Sequence, residues 1–132
     1  MAGRNLLLVE DDQVLQELYL ERFQIAGFNV IQAFDGEEAL EMLKKHPNTN
    51  MILLDIMLPK LSGFEVLERV RNQPALKDLP IIVVSALADL EDHERAIKLG
   101  ATDYITKGEM LPGGIIDKIK QLLTDVPTTS YE

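Results

Sequence analysis

Five short apolar runs alternate along this chain with segments whose apolar residues recur at helical spacing. A run such as Leu6–Val9 is continuous and bounded by polar residues, as expected for a strand that is covered on both faces. The five strand candidates are residues 6–9, 28–34, 51–54, 81–84 and 102–106. This alternation, with its short connections, predicts one α/β domain: a three-layer α/β/α sandwich in which helices cover both faces of a five-stranded parallel sheet.

The helical segments have recognisable ends. Gly27 is predicted to end the first helix, while Asp35 and Ser62 are predicted to cap the second and third. The core face of the first helix is predicted to consist of Val14, Leu18 and Ile25, widened by Leu15 and Tyr19. The fourth helix is predicted over residues 89–99, and the last after Gly113 and Gly114. Residues 1–124 then form the domain, and residues 125–132 form a C-terminal tail or the start of a linker.

The composition excludes several classes of function. The 132 residues include no cysteine, which rules out disulfides and thiolate chemistry, and the net charge of −9 argues against binding to nucleic acid. No apolar stretch approaches the length of a membrane span. We therefore expect a soluble, cytoplasmic protein that binds neither nucleic acid nor membrane directly.

Four charged residues follow the ends of strand candidates. Asp11 and Asp12 follow the first run, Asp55 follows the third, and Lys107 follows the fifth. Because the carboxyl ends of parallel strands meet at one edge of the sheet, these side chains are expected to share a pocket. Carboxylates packed so closely must bind a cation or become neutral. The arrangement suits a hard divalent metal ion, with one carboxylate free to act as a nucleophile.

Each of these residues also has a simpler interpretation. One of the paired residues Asp11 and Asp12 suffices as a helix cap, and Asp55 is also compatible with an ordinary turn. Lys107 alone resembles any surface lysine. Ser85, just past the fourth run, is either a turn hydroxyl or a hydrogen-bond donor to an oxyanion that arrives on Asp55.

Read in order, these segments resemble the receiver domain of two-component response regulators. The match extends over about residues 5–124. The blocks that carry it are Val9-Glu10-Asp11-Asp12, Leu54-Asp55-Ile56-Met57-Leu58-Pro59 with Ser62-Gly63-Phe64-Glu65, Val84-Ser85-Ala86, and Tyr104-Ile105-Thr106-Lys107. The resemblance implies the flavodoxin-like receiver fold, with strand order 2-1-3-4-5.

The resemblance also implies a set of roles for these residues. Asp55 would accept a phosphoryl group from a sensor histidine kinase or a histidine phosphotransfer protein. Mg²⁺ would bind to Asp12 directly, to Asp11 partly through water, and to Asp55 and the backbone carbonyl of Met57. Lys107 would pair first with Asp55 and then with a phosphoryl oxygen.

A switch is implied as well. Ser85 would move toward the phosphoryl group, and the ring of Tyr104 would move into the space that it leaves. The fourth helix, the fifth strand and the last helix would form the face that binds a downstream partner or output domain. The chain would be a monomer, with dimerisation through this face as an option. Gly108 stands where the family usually has a proline, often in a cis bond, which predicts a trans bond or a looser loop here.

Three other functions fit parts of the pattern. A receiver-like module that binds partners without phosphorylation is the first, and the departure at Gly108 keeps it open. The second is an aspartate-nucleophile phosphatase, but Met57 stands where such enzymes carry a second acid. A flavin carrier is the third, but its phosphate-binding loop would not be acidic. We therefore expect a phosphoacceptor switch that is not an enzyme, beyond Mg²⁺-dependent self-phosphorylation and slow loss of its own phosphate.

Overall fold

The computed structural model describes residues 3–125, which form a five-stranded parallel sheet and the helices that flank it. The strands are β1 (Asn5–Val9), β2 (Asn29–Ala33), β3 (Met51–Leu54), β4 (Ile81–Ser85) and β5 (Asp103–Thr106). The helices are α1 (Gln13–Ile25), α2 (Gly36–Lys45), α3 (Gly63–Arg71), α4 (Leu90–Lys98) and α5 (Pro112–Asp125). Short 3₁₀ turns cover Pro74–Leu76 and Lys107–Glu109. The order β2-β1-β3-β4-β5 confirms the predicted fold class and strand order.

Two separate apolar layers hold the helices to the sheet. Because side chains alternate along a strand, Leu7 and Val9 of β1 face one layer, while Leu6 and Leu8 face the other. Residues of α2, α3 and α4 complete the first layer, and residues of α1 and α5 complete the second. Each large apolar side chain buried in this way contributes about 1.5–3 kcal/mol. The three-layer arrangement is therefore confirmed.

The buried face of α1 differs from the prediction. Val14 and Ile25, assigned to the core by their spacing, are each 75% exposed. The helix instead buries Gln16, Tyr19 and Phe23, which also lie three and four positions apart. The predicted stripe was wrong because a buried glutamine interrupts the apolar pattern of the true face. Leu15 and Leu18 lie at the margin of that face and are half-buried.

Several element ends also differ from the sequence prediction. Strands β2 and β5 are shorter than predicted, and α5 begins at Pro112, so that Gly113 and Gly114 lie inside it. Gly27 has a φ of 99°, the left-handed conformation expected of a glycine that follows a helix. The peptide bond after Lys107 is trans. Apart from Asp125, the predicted tail lies outside the described residues. Within residues 3–125, every helix is too short or too polar to span a bilayer.

Candidate functional site

The sheet register brings charged side chains from different strands to one edge. Val9 at the end of β1 pairs with Leu54 at the end of β3, so Glu10 and Asp55 leave the sheet as neighbours. Lys107 directly follows β5 at the same edge. Strands β2 and β3 flank β1 on opposite sides, so this edge lies where the strand order reverses, the usual ligand position in open α/β sheets.

Lys107 joins two buried carboxylates. Its Nζ lies 2.6 Å from Oε1 of Glu10 and 2.9 Å from Oδ2 of Asp55. Glu10 is only 3% exposed and Asp55 only 6%. A buried carboxylate without a partner is costly, so the shared ammonium is what allows both acids to lie here together. The structure thus places Lys107 beside Asp55, as the sequence predicted, and adds Glu10 as a second partner.

Three carboxylates converge at this edge. Glu10, Asp11 and Asp55, here called the acidic cluster, each offer an oxygen, and these atoms all lie within 4.8 Å of one another. Asp11 is exposed, whereas the other two are buried. The sequence analysis missed Glu10, although it is the first residue after β1 and therefore met the same strand-end criterion as Asp55.

Asp12 requires a correction, because it does not belong to the acidic cluster among the described residues. Its Oδ1 accepts hydrogen bonds from the backbone N–H groups of Val14 at 2.9 Å and Leu15 at 3.1 Å. This is the N-cap of α1, which satisfies donors that the first turn of a helix leaves unpaired. The acidic pair that reaches the site is therefore Glu10 and Asp11, one position earlier than predicted.

The charges of the site influence one another. Burial raises the pKa of Glu10 from 4.5 to about 7, although the hydrogen bond from Lys107 and that from the backbone of Asp12 oppose this rise. Burial alone would lower the pKa of Lys107, but the hydrogen bonds and charges of Glu10 and Asp55 outweigh it, so the pKa is raised. Lys107 therefore stays an ammonium at neutral pH and provides a fixed positive charge at the site.

Both oxygens of Asp55 are held in place. Oδ1 accepts a hydrogen bond from the backbone N–H of Met57 at 3.0 Å, and Oδ2 accepts one from Lys107. The side chain of Met57 is exposed beside the site. A carboxylate fixed in this way keeps one orientation toward the edge of the sheet, as a nucleophile requires.

Ser85 and Tyr104 are linked through Leu87. The fully buried Ser85 accepts a hydrogen bond at Oγ from the N–H of Leu87 at 3.2 Å. The hydroxyl of Tyr104 donates to the carbonyl of Leu87 at 2.8 Å, and its ring stacks on His93 of α4 with centroids 4.9 Å apart. Tyr104 is only 6% exposed, and its hydroxyl is paired within the protein. The site and α4 are thus physically connected.

The donor set suits a hard divalent cation. All three groups of the acidic cluster offer carboxylate oxygens, which Mg²⁺ prefers to nitrogen or sulfur. Exposure of Asp11 leaves room for the water molecules that Mg²⁺ retains. The residues present therefore fit the predicted metal ion, with Glu10 in the place that the sequence analysis gave to Asp12.

Comparison with known proteins gives a consistent result. The response regulator receiver domain family matches residues 6–120. The chain is 37% identical over 131 residues to the probable transcriptional regulator ycf27 of Porphyridium aerugineum, covering 98% of this chain but 52% of that protein. It is 33% identical over 122 residues to the polar-differentiation response regulator DivK of Brucella ovis, covering 92% of this chain and 98% of DivK. The chain thus spans about half the length of this ycf27 protein and nearly all of DivK.

A solved structure supports the same assignment. The Mn²⁺-bound form of response regulator Rcp1 superposes with a TM-score of 0.84 at 28% identity, covering 96% of this chain and 98% of that one. Sequence match, strand order and superposition agree over nearly the whole chain. On these grounds, the chain belongs to the response regulator receiver domain family of two-component signalling.

Proposed function

We propose that this chain is a phosphoacceptor switch that receives a phosphoryl group on Asp55 from a histidine kinase or a histidine phosphotransfer protein. The observation that carries the proposal is the ammonium of Lys107, which pairs with both Glu10 and Asp55, the two buried members of the acidic cluster. In this arrangement the ammonium pairs with the buried carboxylate of Asp55 and supplies positive charge where phosphoryl oxygens would arrive.

The residues of the site have complementary roles in this reaction. A carboxylate oxygen of Asp55 bonds to phosphorus while the phosphorus–nitrogen bond of the donor's phosphohistidine breaks and its electron pair stays on the imidazole. Glu10, Asp11 and Asp55 would hold Mg²⁺, together with the backbone carbonyl of Met57. When bound, this ion neutralises charge on the transferring group. The ammonium of Lys107 would pair with one phosphoryl oxygen, and the hydroxyl of Ser85 would donate a hydrogen bond to another.

An exposed apolar rim supports a protein as the donor. Val14, Phe34, Met57 and Leu111 are exposed, and each lies just after a strand or at a helix start on the edge that carries Asp55. Large apolar side chains that surround a polar site favour contact with another protein surface over a free small phosphate. The relatives' membership in two-component signalling agrees with a kinase or phosphotransfer protein as that partner.

The output surface is proposed to be the face formed by α4, β5 and α5. Within α4 only Ala96 is fully buried, and Leu90 and Ile97 are exposed, so the helix is weakly anchored. Tyr104 of β5 connects this helix to Leu87 and hence to Ser85. A change at Ser85 therefore has a short route to the surface that a downstream partner or a second copy of the chain would bind.

A small acyl phosphate tests the proposal. After incubation with Mg²⁺ and acetyl phosphate, intact-mass spectrometry is expected to show one added phosphoryl group, which Asp55→Asn abolishes. Asp35→Asn is the matched control, because Asp35 caps α2 at the same edge and asparagine caps equally well. Absence of the adduct in the unsubstituted chain would favour the partner-binding module without phosphorylation. Sustained turnover of a phosphomonoester would instead revive the phosphatase.

The phosphorylated sample also tests the output face. Amide hydrogen exchange is expected to change across residues 86–104, because α4 and β5 carry the contacts of Tyr104 and His93. Unchanged exchange in this segment would refute the assignment of the face while leaving the phosphoacceptor role intact.

Asp11 and Asp12 are expected to respond differently to the same substitution. Asp11→Asn removes a charge from the acidic cluster and should weaken Mg²⁺ binding by at least about tenfold. Asp12→Asn keeps a capping side chain and should change the Kd little. Isothermal titration calorimetry with Mg²⁺ measures both constants. The opposite pattern would restore Asp12 as the ligand and remove Glu10 and Asp11 from their proposed roles.

Loss of the phosphoryl group from Asp55 is expected to be slow. Met57 lies two residues after Asp55, and Leu87 lies two after Ser85; both are apolar and cannot orient an attacking water. Met57→Asn or Leu87→Asn should speed the decay of the adduct several-fold, as followed by mass spectrometry after removal of the donor. Leu111→Asn, a change on the same rim, should leave it unaffected. Equal decay in all variants would contradict this account.

Some relatives of this chain are transcriptional regulators, including the DNA-binding master regulator RpaA of Synechocystis, and the chain spans less than half of that protein. Its own partner is therefore proposed as a downstream protein or an attached output domain, with no direct contact between this domain and nucleic acid. A cytoplasmic location remains a prediction from the sequence.

A further inference from the structure

Gln16 is a buried polar residue close to the acidic cluster. It lies on the buried face of α1 and is fully inaccessible to solvent. A buried amide is costly unless its donors and acceptor are paired, so the partners of Gln16 show what it holds in place.

Those partners are the backbone around the acidic cluster. The side-chain Nε2 of Gln16 donates to the carbonyls of Leu8 at 3.2 Å, Glu10 at 3.0 Å and Ala33 at 2.8 Å. Its Oε1 accepts a hydrogen bond from Nε2 of Gln32 at 3.0 Å. Only a donor can face three carbonyls, so this amide has a single consistent orientation. One side chain therefore ties the ends of β1 and β2 to the residue that enters the site.

The same residue also fixes the other end of the acidic turn. Its backbone N–H donates to the carbonyl of Asp12 at 2.9 Å, while its side chain holds the carbonyl of Glu10. The N–H of Asp12 in turn donates to Oε2 of Glu10 at 3.0 Å. Gln16 thus forms hydrogen bonds to the backbone on both sides of Asp11.

The position of Asp11 depends on these backbone hydrogen bonds more than the positions of Glu10 and Asp12 do. Glu10 is held by Lys107, and Asp12 is held by its capping bonds. Asp11 is exposed, and within residues 3–125 no hydrogen bond to its carboxylate supplements the backbone on which it stands. Residues that orient the metal ligands without contacting the metal strongly affect metal affinity.

We propose that Gln16 is a positioning residue for the metal site: it fixes the turn from Glu10 to Asp12 so that Asp11 faces Glu10 and Asp55. The inference rests on the proposed function, because it assumes that the acidic cluster binds Mg²⁺. In this role Gln16, the fourth residue of α1, neither contacts the metal ion nor takes part in phosphoryl transfer.

The test compares Gln16→Met with Phe23→Leu. Methionine keeps the length of the side chain but cannot donate to the three carbonyls. Phe23 is buried on the same face of α1, two helical turns farther from the site, so its variant controls for general loss of stability. We expect Gln16→Met to raise the Kd for Mg²⁺ by about tenfold or more, and Phe23→Leu to leave it unchanged. A Kd that is unchanged in Gln16→Met, or raised equally in both variants, would overturn the inference.

A second readout does not depend on the metal. Without Mg²⁺, amide exchange of Glu10 and Asp12 is expected to be faster in Gln16→Met than in Phe23→Leu. If Gln16→Met does not fold, Gln32→Leu replaces it, because it removes the donor that orients the amide of Gln16; a smaller rise in Kd and faster exchange of the same amides are expected, and their absence overturns the inference. If the unsubstituted chain does not bind Mg²⁺, the proposed metal role fails, and the exchange data alone decide whether Gln16 orders the turn.

Discussion

Replacing Lys107 by methionine is expected to slow phosphorylation of Asp55 roughly a hundredfold or more, the effect typical of removing a charged group that stabilises an arriving oxyanion. The variant should also be less stable by about 3 kcal/mol near neutral pH, because Glu10 and Asp55 would remain buried without their shared cation. The rate of adduct formation with acetyl phosphate and urea unfolding without Mg²⁺ measure the two effects.

The stability loss of this variant should depend on pH. The folded pKa of Glu10, about 7, lies above its ordinary 4.5, so its protonated form favours the folded state and that contribution is lost as the pH rises between these values. Without Lys107 the pKa should rise further, and the destabilisation should shrink in acid. Lys60→Met is the control, because Lys60 pairs with Asp35 at 3.6 Å on the surface and contributes at most about 1 kcal/mol. Equal effects of both variants would contradict the importance of the buried pair.

Gly63→Ala is expected to disrupt both folding and phosphorylation. A Cβ at this position would collide with the backbone carbonyl of Asp55 and lie 2.6 Å from Cα of Ile56. Both obstacles are backbone atoms, so relief requires moving the segment that carries Asp55. We expect a loss of about 1–3 kcal/mol or more in urea unfolding, together with little or no adduct on Asp55 in the fraction that remains folded.

Gly113→Ala provides a matched glycine control. A Cβ there would have no heavy atom within 4 Å, and the residue lies inside α5. Alanine in a helix should stabilise the protein by about 0.4–1 kcal/mol, opposite in sign to the change at Gly63. Phosphorylation should be unaffected. A Gly63→Ala protein as stable and as readily phosphorylated as Gly113→Ala would show that the loop after β3 is not tightly constrained.

The strands were predictable because a strand that is buried on both faces has a simple sequence pattern. Runs such as Met51–Leu54 are continuous, short and flanked by polar residues, and all four of these residues are buried. The face of α1 was not predictable in the same way. Gln16 reads as a surface residue, and only the carbonyls at the ends of β1 and β2 explain its burial. Those partners come from outside the helix, so periodicity within it could not reveal them.

The candidate site was predictable to within one residue. The rule that strand ends share an edge located Asp55 and Lys107, but three consecutive acids after β1 left the choice among them open. Capping and metal binding both favour an aspartate, so residue type did not separate the two roles. In the structure, Asp12 caps the first turn of α1, whereas Glu10 and Asp11 lie close to Asp55. The inward position of Tyr104 depends on contacts with Leu87 and His93, which no local pattern encodes.

The pairing of Val9 with Leu54 limits where this chain can tolerate insertions and deletions. Inserting or deleting one residue within β1 or β3 would turn the adjoining acid toward the opposite helical layer and dismantle the site in a single step. The segment between α3 and β4, residues 72–80, leaves from the opposite edge of the sheet and carries none of the reacting groups. Insertions in natural relatives, and engineered ones, should therefore be tolerated in residues 72–80, because extra residues there do not displace the acidic cluster or Lys107.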